Sequence, residues 1–103
     1  MKAKAWNNGS HHSSGAGYGV KVSVADRDRW FQADWAAINL QLPGEGTAKV
    51  HLSESFWRRC SELRSAAIGR WLRSVGLTPW PKGQPPALTI EPIQGSLFRL
   101  HAD

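Results

Sequence analysis

A single thiol and four imidazoles are the side chains of this 103-residue chain best suited to attack or ligate. Nucleophilic catalysis needs a Ser, Cys or Lys held beside a positioned base. Cys60 is the one thiol, and its place in the hydrophobic pattern of residues 54–75 marks it as a small buried hydrophobe. His51 and His101 fall in strand-like segments, whereas His11 and His12 fall in Gly-Ser-His-His-Ser-Ser-Gly, which reads as flexible linker. No His or Cys pair stands at i, i+3 or i, i+4 in the helical segment, so the spacing of a metal site is missing. Asp26, Asp28 and Asp34 cluster, but Arg27 and Arg29 lie between them as ready partners. They read as a solvated charged loop rather than a hydrolytic carboxylate pair. Gly44 and Gly46 belong to a hairpin turn, and Gly17 and Gly19 to the start of a strand, so no Gly-rich loop leads into a helix. The pattern points away from an enzyme and implies no cofactor and no metal.

Two surfaces carry residue types that bind rather than react. Outward positions of the alternating segments hold Lys21, Asn39, Gln41, Thr47, Lys49 and His51, joined by Arg99 and His101. Basic and amide groups on an open sheet suit phosphate backbones and unpaired bases. Trp30 and Trp35, in the connection beside Arg27 and Arg29, are placed to stack bases. The expected ligand-binding set is therefore Lys21, Arg27, Arg29, Trp30, Trp35, Lys49, His51 and Arg99. Outward positions are polar in any half-exposed sheet, so plain solvation accounts for the same pattern.

The second surface is the polar side of the helical segment. Arg58, Arg59, Arg70 and Arg73 fall within about 120° of one another on the helical wheel. Glu62 follows Arg58 by four residues and Arg59 by three, and can pair with either. Arg70 and Arg73 have no acid at such spacing and read as free charges for an acidic partner. Arg64 falls inside the apolar stripe, where it must snorkel out or meet a buried acid.

Composition bounds these readings. Thirteen Lys+Arg against eight Asp+Glu give a formal charge of +5, and 41% of residues are hydrophobic. Setting Lys2 and Lys4 aside leaves a mildly basic balance, compatible with nucleic acid or an acidic protein surface as partner. The apolar content is too high for a disordered chain. No apolar run approaches the roughly 18 residues that a membrane-spanning helix needs. One cysteine excludes an internal disulfide, and with no leader-like opening the expected location is the cytoplasm.

The elements that must position these groups follow from periodicity. Residues 1–16 are rich in Gly, Ser and Asn and lack a period, so a flexible tail is expected there, with 17–103 as a single domain. Tyr18–Val24, Ala36–Leu42 and Thr47–Leu52 alternate apolar and polar residues, as half-buried strands do. Pro43-Gly44-Glu45-Gly46 joins the last two into a hairpin. Residues 26–31 read as a loop or short helical turn pinned by Trp30 and Phe31.

From Glu54 to Val75 the spacing is helical, with Ser53 as N-cap and Gly76 as the left-handed stop. Phe56, Cys60, Leu63, Ala67 and Trp71 form its stripe, widened by Trp57, Ile68, Leu72 and Val75. Ser61 is a candidate cap for a second helix within it. The prolines of residues 77–86 forbid regular structure, and Trp80 is expected to pack that loop down. A closing hairpin over 88–100 turns at Gln94-Gly95. The fold class expected is α+β: a mostly antiparallel five-stranded sheet with one main helix, in the order β-β-β-α-β-β. The OB-fold, a five-stranded Greek-key barrel, has the same element order, and an OB-like closure is compatible with it. These features favour a small non-catalytic binding module that contacts nucleic acid through a basic sheet or loop face. The alternative is a protein-interaction or accessory module, monomeric or homodimeric.

Overall fold

The computed structural model describes residues 1–9 and 12–103, and the reading of His11 lies outside them. The strands are β1 (Lys2–Asn7), β2 (Tyr18–Val22), β3 (Ala37–Leu42), β4 (Gly46–His51), β5 (Glu62–Arg64), β6 (Ala87–Gln94) and β7 (Leu97–Ala102). The helices are α1 (Val24–Trp30), α2 (Glu54–Arg58) and α3 (Ala66–Ser74). All strands join one seven-stranded sheet in the order β4-β3-β7-β6-β1-β2-β5. Neighbours are antiparallel except β3 and β7, which run parallel. Contact between the edge strands β4 and β5 curls the sheet nearly into a barrel. The α+β class holds, while the five-stranded antiparallel sheet with one main helix is corrected to this mixed sheet with three short helices.

The largest correction concerns the expected tail. Lys2–Asn7 form a strand between β2 and β6, with Ala3 and Ala5 buried and Lys2 and Lys4 exposed. The alternation is present, but its inward residues are alanines, which give a weak apolar signal and have low strand propensity. Both neighbouring ladders supply what the side chains do not. Beyond β1, residues 13–15 lie on α3, where Arg73 Nη1 donates to Ser13 O (3.0 Å) and Arg70 Nη1 to Ser14 O (3.4 Å). Gly15 and Gly69 let the two backbones touch: a Cβ built on Gly69 would lie 2.3 Å from Gly15 O.

The expected long helix is also broken. Ser53 caps α2 as read from sequence, but the chain leaves the helix at Arg59, and Ser61 Oγ donates to Val22 O instead of capping. Leu63 is buried in β5 against Val20 of β2, and Ser65 caps α3. Three residues cannot distinguish a period of 2 from one of 3.6, so Leu63 fits either reading. Cys60 is exposed in the connection, which corrects its assignment to the apolar stripe, and Val75 is exposed too. Gly76 does adopt positive φ, with Gly76 N donating to Arg73 O and Leu77 N to Leu72 O, the paired bonds of a Schellman stop.

The inward sheet positions Val20, Val22, Ile38, Leu40, Val50, Leu63, Leu88, Ile90, Phe98 and Leu100 form the core with Phe56, Ile68, Trp71 and Leu72 from the helices. Phe31, just after α1, stacks on Phe98 at 5.0 Å and meets Phe56 edge-on at 5.4 Å, joining α1 and α2 to the core. Trp80 meets Tyr18 at 5.8 Å and pins the proline loop as expected. Among the described residues no helix is long and apolar enough to cross a membrane.

Two outcomes follow. Deleting residues 1–16 should abolish the cooperative thermal transition, because it removes an internal strand; a deleted chain that melts like the full one would restore the tail. Gly69→Ala should cost ~1–3 kcal/mol by overpacking against Gly15, read as a lower urea midpoint.

Candidate functional site

Side chains directly opposite one another on neighbouring strands share a face. The register therefore sorts the outer face of β1, β2 and β5 into rows. Lys4 lies opposite Lys21, which lies opposite Glu62; Trp6 lies opposite Gly19, which lies opposite Arg64. Lys2 stands one pleat further along β1. A groove of about 560 Å³ runs over this face, lined by Lys2, Lys4, Trp6, Lys21 and Pro85, with Asp26 at its α1 end as the one carboxylate. A second groove of about 490 Å³ shares Ala5, Trp6 and Pro85 with it and is lined further by Trp80, Lys82 and Gly83. Every lysine of the chain except Lys49 lines one groove or the other.

The electrostatics of this face are lopsided. Lys2 is 3.7 Å from Asp103, with 87% of its side chain exposed, so solvent screens that pair. Among the described residues, Lys4, Lys21 and Lys82 form no ion pair. Like charges directly opposite in a sheet oppose folding, yet Lys4 and Lys21 face each other. Glu62 is the acid next to Lys21, but its Oε1 accepts from Arg64 Nη2 at 3.0 Å. Its side chain is only 3% exposed. The Arg64 guanidinium in turn lies 4.6 Å above the Trp6 ring. Arg64 thus meets a buried acid, one of the two outcomes expected of it, from a strand rather than a helix.

Of the ligand-binding set expected from sequence, only Lys21 belongs to this face. Arg27 is engaged in packing, with its side chain 11% exposed. Its Nε donates to Asp28 (3.0 Å), its Nη1 to Phe56 O (3.1 Å), and it covers the Trp57 ring at 5.7 Å. Trp35 is half-buried and packs edge-on against Phe31 and Phe98. Arg29 lies over Trp30 at 5.1 Å on the surface of α1, apart from the sheet face.

Lys49 and His51 stand on β4, separated from Lys21 by β5 on one side and by four strands on the other. On the neighbouring strip Arg99 donates to Gln41 (2.8 Å) and pairs with Glu91, which also meets His101 at 3.1 Å, so those polar groups satisfy one another. The arginine face divides as well. Arg58 and Arg59 belong to α2, where Arg58 pairs with Glu54 rather than Glu62, while Arg70 and Arg73 on α3 hold the N-terminal segment.

Sequence reasoning missed Lys2, Lys4, Trp6 and Lys82. The signal was present as Lys-Ala-Lys-Ala-Trp, a period-2 run hidden by its small inward residues. Among the described residues, no group of three or more His, Cys, Asp or Glu could hold a metal ion. Chemically, the face offers mobile ammonium groups, a fixed guanidinium and an indole. That set recognises phosphates and π-faces.

Comparison with protein-family models, curated proteins and solved structures finds no match. The site therefore stands on its geometry alone.

Arg27→Ala should cost ~1–3 kcal/mol in urea unfolding, through the orphaned Phe56 carbonyl and the uncovered Trp57 ring. It should leave polyanion binding unchanged; a variant of full stability that no longer binds would return Arg27 to the interface.

Proposed function

We propose that this chain is a small non-catalytic binding module that holds nucleic acid on the outer face of β1, β2 and β5. The observation that carries the reading is the opposed Lys4–Lys21 pair, which forms no ion pair among the described residues and is set beside Trp6. A like-charged cross-strand pair does nothing for folding, but it gives a polyphosphate two cations across one pleat. Lys2 and Lys82 extend the positive field into both grooves that Trp6 lines. Backbone phosphates supply most of the affinity in such an arrangement, and aromatic stacking adds to it without base selection. A reducing cytoplasmic setting accords with the exposed thiol of Cys60.

A second reading, a protein-interaction module, rests on α1, where Val24 and Trp30 remain 54% and 38% exposed. It places the partner on a different surface from the lysines.

Lys4→Ala and Lys21→Ala should each weaken binding of a labelled oligonucleotide in anisotropy titrations. Each should also lower the log-log salt slope by ~0.7 for a single strand. Lys49→Ala should leave both unchanged. Equal losses from Lys49→Ala would spread the contact over the whole surface, and no binding at low salt would remove the reading.

A further inference from the structure

Resting on the nucleic-acid reading above, we infer that the Trp6 indole is a stacking platform for an unpaired base, so that the ligand of this face is single-stranded. Trp6 is half-buried and lines both grooves. The row Trp6–Gly19–Arg64 explains how the ring is held. Gly19 carries no side chain, so the indole reaches across β2 to meet Arg64 on β5. A residue larger than glycine fails there, because its Cβ would lie 2.5 Å from Leu63 O.

Arg64 is fixed in its turn by Glu62. That carboxylate is buried, with Oε1 on Arg64 and Oε2 accepting no hydrogen bond. A buried carboxylate with an open oxygen is costly to keep for stability alone. Its effect here is to hold a guanidinium over an indole. Glu62 and Arg64 are positioning residues, and Trp6 is the contact.

A paired base has both its faces covered by its neighbours in the duplex and cannot reach such a ring, whereas a splayed base can. Nor does the face project a helix or ribbon for entering the major groove of a duplex. The Lys4–Lys21 row lies about 6.8 Å from the Trp6 row along the strand, which puts cations within reach of the phosphates flanking a stacked base.

The test uses anisotropy with a labelled 12-nucleotide single strand and its duplex, with inorganic polyphosphate and polyglutamate as competitors. The unaltered chain should prefer the single strand to the duplex at least tenfold at equal salt. Trp6→Leu should lose roughly tenfold or more in single-strand affinity with no change in polyphosphate competition. Trp6→Phe, which keeps a π-face, should recover part of that loss. Glu62→Gln should lower the single-strand preference several-fold while polyphosphate competition stays the same, a pattern that a loss of stability alone does not produce.

Equal binding of single strand and duplex, untouched by Trp6→Leu, overturns the stacking platform and leaves the polyanion site standing. Polyglutamate competing as well as the oligonucleotide overturns both and makes the partner an acidic protein. If Trp6→Leu fails to fold, the preference of the unaltered chain and of Trp6→Phe decides the matter.

Discussion

The fold depends on the pairing of Lys2–Asn7 between β6 and β2. On one side of this strand stand β4, β3, β7 and β6; on the other stand only β2 and β5. Without it the sheet divides, and the inward faces of Val20, Val22 and Leu63 lose their continuity with Leu88 and Ile90. The ladder extends to Met1, whose ammonium donates to Ile90 O at 2.7 Å while its carbonyl accepts from Ile90 N. Residues 13–15 then tie the same segment to α3 through the Gly15–Gly69 contact. An internal strand contributes by satisfying two rows of backbone groups at once, whatever its side chains bury.

That same strand builds the site. Its inward alanines allow the neighbouring strands to close over the core, and its outward residues are the lysines and tryptophan of the basic face. Core and basic face are therefore two sides of one period-2 segment. The opposed Lys4–Lys21 pair, the Glu62–Arg64 contact and the ring of Trp6 all follow from the register in which β1 meets β2 and β2 meets β5.

Much of the remainder was legible in the sequence. The alternation expected over Tyr18–Val24 holds as far as Val22, where Ser23 caps α1 and leaves Val24 exposed. The Pro43–Gly46 turn between β3 and β4 expresses local physics, as do the Ser53 cap and the Gly76 stop. So does the hairpin at Gln94-Gly95. What could not be read depends on distant partners. The parallel meeting of β3 and β7 joins residues far apart in the chain. The break between α2 and α3 exists because Ser61–Arg64 find hydrogen bonds on β2, which overrides a stripe that Phe56, Leu63 and Trp71 would also satisfy on a helix. Of the candidate site only Lys21 was legible. Arg27 and Trp35 have the residue types of a binding surface but are consumed in packing, a distinction that needs the third dimension.

A binding face on β1, β2 and β5 has a direct signature in solution. Amide chemical-shift mapping of the isotope-labelled chain, titrated with a short oligothymidine at low salt, tests it most directly. The largest shifts should fall on Lys2–Asn7, Gly19–Lys21, Glu62–Arg64 and residues 82–85. Shifts concentrated on β3 and β4 or on α1, or no shifts at all, would contradict such a face.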